Sequence, residues 1–392
     1  MKKKTVAIFS SLIIFLILFS VKTVARADEN DATQNLDRAV EELIDSIDFD
    51  EVEKLYSSTV KELSAGYDLK NFLLSVIDGK NSEDYSDFIW YAFNLFKEGV
   101  KSKIPIFVSL FVILILCGII NSLKNGGAGS GVMEIAYFAA YSVVICSVVG
   151  VGYSLVVQGK DAVDGVAGVI QAVFPIMLSL MTATGNAASA AVYSPTAAFI
   201  CEFIVIIIQD VIFPLVIAIM LLSVVSNLNK NIKLKGAIGL CSSVIKWIIG
   251  LIVAVFSVFL TVKGLTASMS DGVSLRAIKY TINSSIPIVG GVMKDGFDII
   301  LASAVLLKNS LGALSAVMIF GYVIGPIVEI VSVSFTLKLI NAVTEPIGDG
   351  RTFDFVNTIG GALNYVVASV LLVSLSFIIT VIMMIITSQS VL

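Results

Sequence analysis

Polar and charged side chains interrupt several long apolar stretches of this 392-residue chain, and they are the residues whose chemistry stands out. The set is Glu202, Gln209, Asp210, Lys246, Lys263 and Glu329. A charge inside hydrocarbon costs about 2.5–3.5 kcal/mol on insertion scales, so each one should face protein, water or an opposite charge. The pattern predicts either a pore or coupling site, or buried charges that join helices.

Three of these groups are the candidate intramembrane polar residues. Asp210 lies near the predicted midplane, four residues before Pro214, whose missing N–H loosens the helix. Lys246 lies nine residues from the cytosolic start of its predicted span, and Glu329 lies nine residues from the cytosolic end of the following span. Their equal depth makes Lys246 and Glu329 a candidate ion pair.

The sequence offers little for catalysis. It contains no histidine, which removes the commonest general base and the usual zinc ligand. It also has no Walker loop and no Gly-x-Ser-x-Gly elbow. An intramembrane enzyme using Ser and Lys is the remaining enzymatic alternative, although no pair is singled out by spacing. We therefore expect no enzyme activity, no cofactor and no metal, and we expect the four cysteines to be small packing residues.

Composition indicates a membrane protein with an acidic N-terminal region. Hydrophobic residues make up 57% of the chain and charged ones 14%, whereas a soluble domain is about half apolar and about one quarter charged. Residues 28–103 hold 18 of the 30 acidic residues but 8 of the 26 basic ones. This balance argues against nucleic acid as a partner. We predict an acidic extracytosolic helical domain over 28–103 and a multi-span membrane domain over 104–392.

The first 27 residues have the pattern of a secretory signal peptide. Three of the first four residues are lysines, an apolar run follows, and Ala25-Arg26-Ala27 forms a cleavage site. An uncleaved signal anchor is the alternative, because Lys22 and Arg26 are unusual between the apolar run and the cleavage site. In both cases the domain that follows is exported.

Short helices are predicted in the exported domain. Apolar residues at helical spacing predict an amphipathic helix over 34–47, and two more are expected over about 51–63 and 69–77. Asn81 or Ser82 can cap a fourth helix. Its aromatic residues predict either a helix in the membrane interface or the core of the small domain.

About six membrane spans are predicted. They cover residues 104–120, 132–157, 198–226, 237–265, 309–338 and 359–387, and each can cross about 30 Å of hydrocarbon. The basic loop with Lys230, Lys233 and Lys235 should be cytosolic. With the N-terminal domain outside, the apolar segment 169–195 must then enter and leave the membrane on the outer side.

Two segments, near 169–195 and 281–308, are therefore predicted to be re-entrant hairpins or broken half-helices. Non-helical backbone at this depth must be buried in protein or line a wet cavity. The candidate re-entrant or pore-lining residues are Pro175, Gly185, Asn186, Pro195, Pro287, Gly290 and Gly291.

The prolines also indicate an internal repeat. Pro175 and Pro214 are 39 residues apart, as are Pro287 and Pro326, and the second pair is offset from the first by 112 residues. This spacing predicts two direct repeats, over about 132–235 and 237–342, although prolines are common enough in membrane helices for a coincidence. The predicted fold is thus all-α: a polytopic helical membrane protein with two direct repeats containing re-entrant or broken helices, preceded by a small exported helical domain.

Two stretches resemble the stage III sporulation protein AE family. They are Phe174-Pro-Ile-Met-Leu-Ser-Leu-Met-Thr-Ala-Thr-Gly185 with the Ala-rich run to Pro195, and the segment from Ser270-Asp-Gly-Val-Ser-Leu-Arg276 through Ser285-Ile-Pro-Ile-Val-Gly-Gly291 to Leu306-Leu-Lys-Asn309. The resemblance covers nearly the whole mature chain, and before Ile104 only the layout matches. The family has no assigned catalytic residues, so none are carried over.

The resemblance implies a mother-cell protein of an endospore-forming bacterium, in the outer forespore membrane. It implies a membrane-core subunit of the channel or secretion-like complex that links mother cell and engulfed forespore. The N-terminal domain would face the intermembrane space. The implied partners are other subunits of that complex, including a cytosolic ATPase and ring-forming proteins. Membrane lipid is a further expected partner, and the number of copies that build the pore, one or several, stays open. A self-sufficient secondary transporter with a midplane site is the alternative, because broken helices near the midplane are typical of such proteins.

Overall fold

The computed structural model describes residues 30–59, 68–77, 85–125, 130–228, 234–267, 290–344 and 350–389. Within these ranges nearly every residue is helical and no strand occurs, which confirms the all-α prediction. The predicted signal peptide, Pro287 and the first part of the predicted segment 281–308 lie outside the described residues.

Ten α-helices follow one another along the described chain. Their bounds are α1 Asn30–Ser46, α2 Asp50–Thr59, α3 Leu69–Ile77, α4 Tyr85–Asn125, α5 Ser130–Ala183, α6 Ala187–Ile207, α7 Phe213–Leu228, α8 Lys235–Ala267, α9 Gly290–Thr344 and α10 Gly350–Gln389. A π-helical turn, Ile208–Ile212, joins α6 to α7 without a break.

Helices α1 to α3 pack against the long helices α5 and α9 and bury their apolar side chains in the common core of the chain. Val40 of α1, Tyr56 of α2 and Leu73 of α3 are almost completely buried. The Lys70 ammonium lies 2.8 Å from the Asp45 carboxylate and ties α3 to α1. The amphipathic pattern predicted over 34–47 therefore does form a helix whose apolar face is buried against its neighbours.

Helix α4 crosses the expected boundary between the exported domain and the membrane. A single 41-residue helix contains both the end of the acidic region and the first predicted span, and Pro105 lies inside it. The expected composition boundary at Lys103 is therefore not a break in secondary structure.

Five helices of the described chain are long and apolar enough to cross a membrane, and a shorter apolar stretch covers Phe107–Leu123. The five stretches are Gly131–Ala183, Ser189–Leu228, Lys235–Val262, Ile299–Ala342 and Thr352–Ile386. Each of the last five predicted spans overlaps one of them, and the first overlaps the shorter stretch. The chain is a multi-pass membrane protein.

Helices α5 and α9 are much longer than a bilayer needs. They contain 54 and 55 residues, so at 1.5 Å per residue each is about 81 Å long, more than twice the thickness of the hydrocarbon. A large part of each helix must therefore lie beyond the hydrocarbon or run obliquely through it.

Close contacts fix the relative directions of the long helices. Gly152 of α5 lies against Met220 and Gly159 lies against Phe213, so α5 and α7 are antiparallel. Helices α5 and α6–α7 thus form a first hairpin. Helices α9 and α10 form a second one, in which Ser334 of α9 donates a hydrogen bond to the Gly360 carbonyl of α10.

The same hairpin is joined near its other end, where the Lys308 ammonium donates to the Ile385 carbonyl over 3.1 Å. These pairings make α9 and α10 antiparallel as well. Gly152 also lies near Ile359, and Gly159 lies against Val366, so α10 runs parallel to α5. The core is a bundle of two packed helical hairpins.

Candidate functional site

The turn of the first hairpin lies within the predicted segment 169–195 but not at Pro175. Pro175 lies inside α5, which continues without interruption to Ala183. Proline is tolerated in such a helix because neighbouring helices and local adjustments compensate for its missing hydrogen bond. The expected interruption at Pro175 is therefore wrong, and the chain turns only at residues 184–186, at the apex between α5 and α6.

The apex is a Schellman turn. The Gly185 N–H donates to the Thr182 carbonyl and the Asn186 N–H to the Met181 carbonyl, each over 3.0 Å. Gly185 has a φ of 80°, a left-handed conformation that glycine adopts without the cost borne by other residues. Two of the predicted candidate residues, Gly185 and Asn186, thus form the turn itself.

Asn186 is fully buried at this apex. Its side-chain amide donates to the carbonyl of Thr184 over 3.2 Å and to the Thr184 hydroxyl over 3.1 Å. Its amide oxygen, also buried, has no hydrogen-bond partner. Thr184 and Ser189, two residues before and three residues after Asn186, are also buried. The apex is therefore a small polar site inside an apolar assembly.

A second polar site lies along the same hairpin, where α5 meets the π-helical turn. Lys160, Asp161 and Asp164 are exposed on α5. The Gln209 amide of the π-turn donates a hydrogen bond to the Asp164 carboxylate. Asp210, the predicted midplane carboxylate, is the next residue and is exposed.

The π-turn has an identifiable cause in Pro214. This proline has no N–H to donate to the Asp210 carbonyl, and its ring would clash with that carbonyl in a regular α-helix. The chain widens instead, and the Phe213 N–H bonds the Ile208 carbonyl five residues earlier. Single π-turns of this kind occur frequently at functional sites.

The other predicted residues do not assemble with these two sites. Pro195 lies within α6, and Gly290 and Gly291 are the first residues of α9, a helix that is continuous to Thr344. Pro326 also lies inside α9, and the described helix stays α-helical there.

The expected ion pair between Lys246 and Glu329 does not form. Lys246 is exposed on α8 and Glu329 is half-buried on α9. The ion pairs among the described side chains are Lys70–Asp45 and Lys235–Asp354, the latter at 2.6 Å. Helix α8 is thus tied to α10 at its first residue and not to α9 at mid-depth.

Sequence reasoning missed Lys308. This lysine is 0% exposed, and its ammonium donates to the Ile385 carbonyl near the end of α10. A carbonyl in the last turn carries the partial negative charge of the helix end, which suits a cation. The signal was present as a lysine within the apolar run Leu306-Leu-Lys-Asn309, where a charge is costly.

Small polar residues are also buried along the two hairpins. They are Ser303, Ser310, Ser315, Ser376, Thr380 and Cys201. Most of the hydroxyls donate to a carbonyl of their own helix, as Ser303 does to Ile299 and Thr380 to Ser376. Small side chains let membrane helices approach closely, so this interface serves tight packing.

These features define a class: an all-α, multi-pass membrane protein built from two long helical hairpins, with three short helices at the N-terminal end packed against them. No group of three or more acidic or cysteine residues that could hold a metal occurs in the ranges that the structure describes.

The chain belongs to the family of stage III sporulation protein AE, whose family model matches residues 67–388. It is 26% identical over 308 residues to the stage III sporulation protein AE of Bacillus subtilis (strain 168), an alignment that covers 79% of this chain and 77% of that protein. No solved structure matches. The resemblance predicted from residues 174–195 and 270–309 is confirmed, and the chain has a role in sporulation.

Proposed function

We propose that this chain is the membrane-core subunit of a channel or secretion-like complex that joins the mother cell to the engulfed forespore. It performs no catalysis of its own. In this proposal the chain lies in the outer forespore membrane, the N-terminal domain faces the intermembrane space, and the basic loop near Lys233 faces the mother-cell cytosol. A cytosolic ATPase and ring-forming proteins are its partners.

The supporting observation is that the N-terminal domain is packed onto the long hairpins. Leu55 of α2 lies beside Gly168 of α5, and the hydroxyls of Ser58 and Tyr322 are 3.3 Å apart, which joins α2 to α9. The parts of α5 and α9 near these contacts therefore form one body with the small domain. With the N-terminal helices outside the membrane, Tyr322 lies outside it as well, and the part of α9 within the hydrocarbon begins after Tyr322 and not at the predicted residue 309. A body of this kind can bind partners on that side.

Deletion of the gene in the parent organism tests this role. We expect engulfment to finish and the forespore then to stop developing, with spore yield restored when the full chain is supplied again. Purification of a tagged full-length chain from sporulating cells should recover a large assembly. A wild-type spore yield in the deletion strain would contradict the proposal.

A second candidate function is secondary transport, and the π-turn favours it. Asp210 lies exposed beside a locally widened helix, the kind of site at which a carboxylate can couple ion binding to a conformational change. Purified chain in lipid vesicles should then take up one solute along an ion gradient, and Asp210→Asn should abolish uptake. Absence of uptake with the unmodified chain would leave the channel proposal alone.

A further inference from the structure

Helix α8 has one face against the bundle and a broad face turned away from it. Ile245, Ile252, Phe256 and Phe259 are buried and lie on one side of the helix. The remaining sides are largely exposed along the whole described length, and Trp247 is 69% exposed. Lipid or protein must therefore cover most of this helix.

Because successive residues of a helix are 100° apart, the exposed side chains of α8 form two adjacent rows along the helix, which we call the small flank and the bulky flank. The small flank is Gly239, Ser243, Lys246, Gly250, Ala254 and Ser257. The bulky flank is Leu240, Val244, Trp247, Leu251, Val255 and Val258. Nothing lies within 4 Å of a Cβ added at Gly239 or Gly250. Bulky aliphatic residues suit lipid, whereas small residues let the backbone of a second helix approach closely.

Lys246 makes lipid an unsuitable neighbour for the small flank. It lies eleven residues after Lys235, about 16 Å along the helix, which is further than a lysine side chain can reach back to the cytosolic interface. Lys246 has no hydrogen bond or ion pair within the part of the chain that the structure describes. A charge at this depth needs an acid, a free carbonyl or water beside it, and an acid is the one partner that also neutralises it.

The chain itself carries such an acid on its outside. Asp210 is exposed on the π-turn, and it too has no ion pair among the described side chains. Helices α7 and α8 meet near the cytosolic side, where the Leu234 N–H donates to the Ser226 hydroxyl over 3.2 Å. Asp210 is 16 residues from Ser226 and Lys246 is 12 from Leu234, a difference in height of about 6 Å that the lysine side chain can span.

We propose that the small flank of α8 binds a second copy of this chain, and that Lys246 of one copy pairs with Asp210 of the next. The two groups are opposite in charge, similar in depth and both turned away from their own bundle. The contact buries the glycines of α8 against the outer face of the π-turn and leaves the bulky flank to lipid. This inference concerns assembly and does not depend on the proposed function.

Exchange of the two charges tests the pairing in trans. Full-length chains with two different tags are coexpressed in native membranes and one tag is captured. Lys246→Asp alone places like charges in the contact, as does Asp210→Lys alone, and each should lower capture of its own kind by roughly tenfold or more. Coexpression of the two variants should restore capture, because each supplies the charge that the other lacks. Unchanged capture in the single variants, or no recovery in the mixture, would overturn the pairing.

Disulfide formation tests the geometry without altering a charge. In a chain whose four native cysteines are replaced by alanine, Val211→Cys is combined with Gly250→Cys on the small flank or with Leu251→Cys on the bulky flank. The two positions are adjacent in sequence and both exposed. We expect covalent dimers from Gly250→Cys and roughly tenfold fewer from Leu251→Cys under the same oxidation. Equal yields, or no dimer from either, would refute the interface, and since neither assay uses spore yield, that result would leave the proposed function standing.

Discussion

The two hairpins have closely similar dimensions but treat their charged residues in opposite ways. Each combines a helix of 54 or 55 residues with an antiparallel return of about 40. In the first hairpin the return is widened by the π-turn, and Asp210 is exposed there. In the second both helices are continuous, and Lys308 is buried against a carbonyl. The first hairpin thus has an exposed charge at Asp210, whereas in the second the buried charge of Lys308 joins its own two helices.

The largest expected effect is at Lys308. In Lys308→Glu a buried carboxylate would face the Ile385 carbonyl, and we expect a loss of about 3–5 kcal/mol in the free energy of unfolding. Lys308→Met is the matched control and should be nearly neutral, because an apolar side chain of similar length removes the charge without leaving a cavity. Thermal unfolding in detergent measures both. A stable Lys308→Glu chain would mean that water reaches this position.

The second largest effect is expected where α9 packs closely against α10. A Cβ at Gly312 would overlap the Ile385 side chain, whereas one at Gly325 in the same helix meets nothing within 4 Å. Gly312→Val should therefore destabilise the chain by about 1–3 kcal/mol through overpacking. Gly325→Val should change the unfolding midpoint far less. Similar midpoints for the two variants would show that α9 and α10 are not packed as described.

A substitution at the apex of the first hairpin is expected to lower the free energy of unfolding less than Gly312→Val does. Gly185→Ala forces an alanine into a left-handed conformation at a cost of about 1–2 kcal/mol. Gly150→Ala in α5 is the control, because its Cβ would meet nothing within 4 Å and alanine favours the helix. The unfolding midpoint should fall for the first and stay or rise for the second. The reverse order would contradict the Schellman turn.

The hydrogen bond between Gln209 and Asp164 at the π-turn should contribute still less to the free energy of unfolding. Gln209→Leu removes the amide that donates to Asp164, and we expect a loss of about 0.5–1.5 kcal/mol. Asp161→Asn, exposed on the same helix, should change stability little. Amide hydrogen exchange over residues 205–216 should quicken in the first variant only. Equal exchange in both would show that the bond does not hold the π-turn.

The smallest expected effect on stability is at the ion pair between α3 and α1, Lys70–Asp45. The hydrogen bond to Asp45 raises the pKa of Lys70 above its ordinary value of 10.5. A raised pKa stabilises the fold below pH 10.5, and this contribution is lost as the pH rises through the folded-state pKa. Both groups are exposed, so the change is small. The thermal unfolding midpoint of the parent chain should fall slightly more above that pH than the midpoint of Lys70→Met, which lacks this contribution.

Sequence alone could predict the helices but not their continuity. Hydropathy placed the last five spans within the five long apolar helices because twenty apolar residues in lipid have few conformations besides a helix. It failed at Pro175, where the prediction followed the local cost of proline and the packing of neighbouring helices outweighed that cost. The same limit applies at Lys103, where composition changes but the helix of α4 does not end.

Of the candidate sites, sequence found the residues but not their arrangement. Gly185, Asn186 and Asp210 were singled out, and each lies at a turn or at the π-turn. The Lys246–Glu329 pair was inferred from depth alone, which does not determine the direction in which a side chain points around its helix. Lys308 was missed because its partner is a backbone carbonyl 77 residues away, which leaves no trace in side-chain patterns.

The unbroken course of α4 has a mechanical consequence. The 41 residues from Tyr85 to Asn125 form one rod about 60 Å long, and the rod contains Pro105 at the start of the first predicted span. Because the helix stays continuous through that proline, a tilt at one end also moves the other end. Motion on one side of the first predicted span would thus be transmitted to its other side by the backbone of α4 alone.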